Sequence, residues 1–518
     1  MNASDGLRLS AWKYPEKTAA VYFEKHCTYA ELDERVNRLA NGLLEMGFKR
    51  GNKVAYLLYN GIEGLEIIQA LLRTGVTLVP INYRLNPDNT QYIINHCDAT
   101  CLFLDANLLG AVEPLVPKLV NIPRDKFIII GDKAPAGMSR YEDIMSQSAE
   151  NPEVDVKPAD IAYIAYTSGT TGLPKGVVTA SRGLMSNMKG ALGRGYSRRD
   201  IHPEDRSLLV LMPLVHSNSI WSTTITFWYG GVNVVYRSRG FDAEEVLRVI
   251  DQERVSTSSV VPFMLAKMLE LPEEVRNKYD VSCVTSIGSG SAMLYQSTID
   301  KMLNYFTGVR LSNSYGSSET GPATTLRYQD LTKKPGSVGK PIPGVEVKVL
   351  DSNGNECPPG EVGEIWVKSD QAFESYYKDP EKTVRCKRGE WAWAGDLGYV
   401  DKDGYFYLAD RGDDIIVSAG EHIAPAEVEN VLTSHPAVSE VAVIGVPDEK
   451  WGQRVTACVK LREGMACTEG ELIAFCKERL PGFKAPKSCD FVTEFPTTLT
   501  GKILKRVLRE EYQKKARK

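Results

Sequence analysis

The chain has no Cys-x-x-Cys pair and no apolar run near the roughly 18 residues that a membrane-spanning helix requires. Its ten cysteines are scattered. Cys97 and Cys101 stand four apart, with no second Cys/His pair nearby to complete a zinc site. That spacing excludes a disulfide framework, so the thiols read as reduced and mostly buried, as in a reducing compartment. Residues 1–20 include Asp5, Lys13, Glu16 and Lys17 and lack the apolar centre of a signal peptide. The end, Ala516-Arg517-Lys518, is not a peroxisomal Ser-Lys-Leu tail. Neither sign of charge dominates: the net charge is -4, which argues against a general nucleic-acid surface or a polyanionic tail. Internal repeats and low-complexity segments are also missing. A soluble, cytoplasmic protein without nucleic-acid partners is expected, its oligomeric state left open.

What is present fits a soluble globular protein. Hydrophobic residues make up 43% and charged residues 25% of the chain. A length of 518 residues exceeds what one core accommodates, so two or more domains are expected. Strand-like runs at 54–59, 77–80, 206–212 and 233–236 alternate with helical stretches at 62–73 and 219–229. This pattern predicts an α/β fold with parallel sheets covered by helices. From about residue 334 the texture changes to short strands (346–351, 363–368, 404–408) between Gly and Pro turns, predicting a small β-rich subdomain over 334–410. Beyond Arg411 a helix at 425–435, a strand at 438–444 and a helix at 469–479 predict a small α+β domain. The expected division is an N-terminal domain of residues 1–411 and a C-terminal domain of residues 412–518.

One segment stands out chemically. Tyr166-Thr-Ser-Gly-Thr-Thr-Gly-Leu-Pro-Lys-Gly176 packs hydroxyls, glycines and a lysine between two apolar strands, 161–165 and 177–180. Gly169, Gly172 and Gly176 let backbone N–H groups converge on an anion. Thr167, Ser168, Thr170 and Thr171 add donors, and Lys175 adds a point charge suited to phosphate. The spacing differs from G-x-x-x-x-G-K-[ST], and a strand rather than a helix follows.

With this string the chain resembles the adenylate-forming superfamily of acyl-CoA synthetases, peptide-synthetase adenylation domains and insect luciferases. The resemblance runs through almost the whole sequence. It continues in Pro213-Leu-Val-His-Ser-Asn218, in Tyr315-Gly-Ser-Ser-Glu-Thr320 and in Gly336-Ser-Val-Gly-Lys-Pro341. Trp393-Ala-Gly-Asp396, Asp410-Arg-Gly-Asp-Asp414, Ser418-Ala-Gly-Glu421, Pro425-Ala-Glu427 and the segment from Pro496 to Lys502 follow in the family's order. Two positions depart from the usual pattern: Ala394 lacks a hydroxyl common beside the ribose aspartate, and Ser181 stands where a His is often seen.

The resemblance implies ATP-dependent activation of a carboxylic acid, with Mg²⁺ as cofactor and coenzyme A as co-substrate. It assigns Glu319 as the Mg²⁺ carboxylate, with the Thr170 hydroxyl as a second ligand; an ion of this kind takes few ligands from protein. Lys502 is implied to lie between carboxylate and α-phosphate, where its charge stabilises developing anions. Asp396 and Arg411 would hold the ribose, and Tyr315 would face the adenine. Gly290, Ser291 and Ala292 would form the opposite wall, with Asn313, Ser314, Gly316 and Ser318 around the nucleotide. Asp413 corresponds to the hinge about which the family's C-terminal domain rotates, carrying Lys502 away and bringing Ser418, Ala419, Gly420 and Glu421 toward CoA. CoA's thiol, with a pKa of about 8.5, needs no dedicated base.

His216 stands where the family often places an aromatic or imidazole near the acyl carboxylate. An amino-acid activator would have an Asp in this region, so His216 argues against an amino acid substrate. Val215, Asn218, Trp221, Val261, Phe263 and Ser289 are the expected acyl wall. This mostly apolar set suits a medium-chain, cyclic or aromatic acid of the kind handled in fatty acid metabolism and related routes. The alternatives are an adenylation enzyme loading a carrier protein, a luciferase-like oxygenase, and a non-catalytic nucleotide-binding protein. Lys175, Glu319, Asp396 and Lys502 argue against the last.

Overall fold

The computed structural model describes residues 2–167, 173–196, 202, 205–237, 239–292, 294–411, 416–418, 421–448, 451–497 and 503–516. Three sheets organise them. In the eight-stranded sheet, Lys53–Leu57 lies parallel between Thr77–Pro80 and Cys101–Asp105, with Phe127–Ile130 and Ser139–Arg140 beyond. On the other side Ile161–Thr167 pairs parallel with Thr77–Pro80. It then turns back antiparallel into Lys175–Ala180, so the Gly/Ser/Thr segment connects a hairpin. Helix Ile62–Thr74 has an apolar face and is almost wholly buried; Gly75, in the left-handed region at φ 67°, ends it.

The fourteen-stranded sheet has a parallel half in the order Arg310–Ser317, Ser286–Ser289, Thr257–Val260, Ser207–Val210, Val232–Val235 and Thr18–Tyr22. The sheet continues through Gly321–Leu326 and Ser337–Pro341 into Phe406–Arg411, Trp391–Val400, Gly363–Lys368 and Glu346–Leu350, all antiparallel. The β-rich segment of 334–410 is therefore joined to the parallel half by backbone pairing. The connection is Ser337–Pro341, which bonds Gly321–Leu326 on one edge and Phe406–Arg411 on the other. Around Val338, Ile365 and Val367 it keeps a small core of its own, which also receives the Tyr315 ring.

The five-stranded sheet comprises Glu421–Ile423, Ile416–Ser418, Gly452–Leu461 and Val438–Asp448, with Ser488–Phe491 parallel to Gly452–Leu461. Helices Pro425–Thr433 and Glu469–Lys477 cover it over a separate apolar core that includes Val428, Leu432, Val443 and Leu472. The second helix opens with a capping box between Thr468 and Glu471. Helix Lys505–Ala516 packs Leu508 against Ala442, Ile444 and Cys458. All ten cysteines are free. Among the described residues no helix is long and apolar enough to cross a membrane.

Candidate active site

Parallel strands present their carboxyl ends together, and the loops that leave them build a crevice. Four neighbouring strands do this here. His216 and Asn218 follow Ser207–Val210, Pro262 and Phe263 follow Thr257–Val260, Gly290 to Ala292 follow Ser286–Ser289, and Asn313 to Gly316 end Arg310–Ser317. All of them line one cleft of about 3010 Å³, together with Thr167, Lys175, Ser318, Glu319 and Asp396. Ala426 and Glu429 on helix Pro425–Thr433, Arg462 just after strand Gly452–Leu461 and Lys505 at the start of helix Lys505–Ala516 line the same cleft.

The end of the cleft at Asp396 is built by two hydrogen bonds. The Tyr315 hydroxyl donates to Asp396 Oδ2 at 2.8 Å, and the Trp393 indole N–H donates to the Asp396 carbonyl at 3.1 Å. Asp396 pairs across the sheet with Arg411, so the two residues assigned to the ribose sit opposite each other by strand register. The wall at Gly290 to Ala292 is tight. A Cβ on Gly290 would lie 2.9 Å from the Ser314 carbonyl oxygen, and Ser291 is held at φ 66°, a region non-glycine residues seldom adopt. Asn313 is spent on structure, its amide donating to the Ser337 carbonyl at 3.2 Å.

Glu319 sits in the turn between Arg310–Ser317 and Gly321–Leu326. Ser317 Oγ accepts the N–H groups of Glu319 and Thr320, and the Phe373 N–H donates to the Glu319 carbonyl. The Tyr376 hydroxyl donates to Glu319 Oε1 at 2.8 Å. Burial, then the neighbouring Glu319 charge, hold the Tyr376 hydroxyl far above the ordinary phenol range, so it remains a donor. A single oriented carboxylate suits Mg²⁺, which completes its shell from phosphate and water. No spacing in the sequence singles out Tyr376; its role arises because its short strand pairs with Lys175–Ala180.

His216 is the residue preceding helix Ser217–Tyr229, and its carbonyl accepts the N–H groups of Ser219 and Ile220. Its Nε2 is buried with no partner among the described residues. Burial alone pushes the imidazole pKa down to about 4, so the ring is neutral at pH 7. Beside it Asn218, Trp221, Phe263 and Ser289 line the cleft, the Trp221 indole N–H donating to the Tyr163 hydroxyl at 2.9 Å.

Val215 and Val261 depart from the expected acyl wall. Val215 packs into the core beneath helix Ser217–Tyr229, and Val261, just before helix Pro262–Glu270, packs with Met264 and Leu265, so neither faces the cleft. Both stand in the short connections between a strand and the helix that follows, and both side chains are buried there. Ser418 and Glu421 pair with each other across a hairpin and are not among the cleft-lining residues. Ser168, Gly169, Thr170, Thr171, Gly172, Asp413, Ala419, Gly420 and Lys502 lie outside the described residues, as does the side chain of Arg411.

The chain matches the AMP-binding enzyme family over residues 7–377 and the AMP-binding enzyme C-terminal domain over residues 427–502. It is 31% identical over 513 residues to an indoleacetate–CoA ligase of Aromatoleum aromaticum, covering 98% of each chain. It is 33% identical over 500 residues to a feruloyl-CoA synthase of an Amycolatopsis species, covering 96% of each. Among solved structures, the anthranilate CoA ligase AuaEII in complex with anthranoyl-AMP superimposes with a TM-score of 0.92 at 28% identity, over 100% of this chain and 98% of that one. The chain belongs to the AMP-binding enzyme family. Within it, it is an adenylate-forming ligase of the acyl-CoA synthetase type.

Proposed function

We propose that the protein joins a ring-bearing, aromatic carboxylic acid to coenzyme A in two steps. In the first, a carboxylate oxygen attacks the α-phosphorus of ATP, the α–β bridging bond breaks, and pyrophosphate leaves. In the second, the CoA thiolate attacks the acyl carbon and AMP departs, the thiol proton passing to solvent. The observation that carries this reading is the neutral His216 Nε2, without a partner among the described residues and buried at the cleft that also holds Lys175, Glu319 and Asp396. A buried polar atom left alone costs roughly 1–3 kcal/mol, and a substrate oxygen relieves that cost.

Each residue then has one task. Asp396, oriented by Tyr315, and Arg411 across the strand pair bind the ribose hydroxyls. Lys175 and the loop before it hold the β- and γ-phosphates. Glu319 would hold Mg²⁺, which when bound neutralises charge on the phosphate oxygens. Lys502 supplies positive charge between carboxylate and α-phosphate. Residues 412–518 act as a mobile domain hinged at Asp413, so that Lys502 serves the first step and the Ser418–Glu421 hairpin the second. Trp221 and Phe263 offer flat faces to the acid, and the named acids of the indoleacetate, feruloyl and anthranilate ligases are all aromatic. These roles and a cytoplasmic location fit the free thiols.

A screen for CoA-dependent AMP release over short, medium-chain, long-chain and aromatic acids tests the reading. Turnover is expected to peak with the aromatic set. Absence of pyrophosphate release with every acid would sink the enzymatic reading, and a peak at long-chain acids would overturn the assignment of the acid.

A further inference from the structure

The cleft carries more positive charge beside Glu319 than the roles above use. Lys382 and Arg385 lie on the short helix Pro380–Cys386 and line the cleft with Lys175, Glu319 and Tyr376. Strand pairing explains the juxtaposition. Ser375–Tyr376 bonds Lys175–Ala180, with Tyr376 opposite Val177, so the helix that follows is held against the strand that begins at Lys175. Lys382 Nζ stands 5.2 Å from the centroid of the Tyr376 ring, whose hydroxyl holds Glu319.

Cys386 gives a second view of the same neighbourhood. Burial pushes its thiol up and the Tyr376 hydroxyl bond opposes this; Glu319 then adds to the rise, while Lys175 and Arg385 pull the other way. Both cations and the carboxylate therefore act on one buried sulfur. None of the three cations has an ion-pair partner among the described residues. Of the carboxylates along this stretch of the cleft, Asp379 accepts the Lys382 backbone N–H as helix cap and Glu319 accepts from Tyr376, while Glu381 is exposed on the same helix as Lys382. Cations that no carboxylate among the described residues meets at ion-pair distance can receive an anion, and a guanidinium beside ammonium groups suits phosphate oxygens.

We propose that Lys382 and Arg385 extend the grip of Lys175 outward as a polyphosphate-binding strip, which receives pyrophosphate as it leaves the α-phosphorus. The proposal rests on the reading that the ATP polyphosphate lies at Lys175. Arg385 is exposed and Lys382 half-buried, so the strip leads from the site toward solvent.

The test is product inhibition by inorganic pyrophosphate, measured on the full-length enzyme with an acid that turns over. Lys382→Ala and Arg385→Ala are each expected to raise the pyrophosphate inhibition constant about threefold to tenfold, and the double variant further. The KM for the acid should not move. Arg385→Lys should recover most of the inhibition, and Lys402→Ala, an exposed lysine outside the cleft, should change nothing. Rising potassium chloride should weaken inhibition in the wild type more than in the double variant. A parallel rise in the KM for ATP would show that bound ATP also rests on the strip; an unchanged KM would confine it to pyrophosphate. An unchanged inhibition constant in the double variant overturns the proposal while leaving the ligase reading intact. A wild type that turns over yet is not inhibited by pyrophosphate also overturns it, whereas failure of all acids to turn over removes the reading on which it rests.

Discussion

His216 gives the most direct quantitative prediction, because one cause, burial, moves its pKa. The ordinary imidazole value is 6.5 and the folded value about 4. A group whose folded pKa is depressed contributes stability that is whole above the unfolded value and is lost as pH falls toward the folded one. The window is therefore from pH 6.5 down to about 4. Over the full window the contribution is about 3 kcal/mol, and by pH 4.5 about 2.5 kcal/mol of it is gone. His216→Asn removes the titration, so its thermal midpoint should fall less steeply below pH 6.5 than that of the wild type, whatever the offset between them at pH 7. A titration of ¹³C-labelled histidines gives the microscopic check, since the chain has only 6 of them. The signal missing in His216→Asn should keep its neutral chemical shift down to about pH 5. Parallel thermal curves, or a lost signal titrating between pH 6 and 7, would refute the burial argument and with it the neutral ring facing the acid.

Three further outcomes are expected. Tyr315→Phe keeps the ring but removes the hydroxyl that orients Asp396, and should weaken ATP and AMP binding roughly 10-fold by calorimetric titration, as fits a bond to a charged group. Tyr376→Phe removes the hydroxyl that donates to Glu319 Oε1 and should raise the Mg²⁺ concentration for half-maximal pyrophosphate release about fivefold, with little change in acid KM. Lys502→Ala should lower adenylate formation roughly 10²–10³-fold while CoA transfer from supplied acyl-adenylate persists, a split that half-reaction assays resolve.

Much of the fold was legible because its signals are local. The strands at 77–80 and 363–368 occur as Thr77–Pro80 and Gly363–Lys368, and the helix expected at 62–73 runs Ile62–Thr74, since apolar periodicity and flanking glycines mark such elements. Boundaries were less secure where an edge is set by pairing. The strand expected at 438–444 extends to Asp448 because Gly452–Leu461 supplies partners along its length. The union of the 334–410 segment with the parallel half-sheet could not be read from texture, because it depends on Ser337–Pro341 finding two partners distant in sequence.

The site divides in the same way. The order of the groups that the resemblance assigns to it, from the hydroxyl- and glycine-rich loop ending at Lys175 through Glu319 and Asp396 to Lys502, is a property of the sequence, since each such group must be encoded where it is used. What tertiary structure alone decided is which groups hold others in place. Tyr315 turns out to be an orienting donor to Asp396, Tyr376 enters as the clasp on Glu319, and Val215 and Val261 withdraw into the cores. Lys382 and Arg385 become cleft residues only when Ser375–Tyr376 pairs with Lys175–Ala180. Hydrogen bonds and burial depend on distances between remote segments, and no local pattern in the chain carries that information.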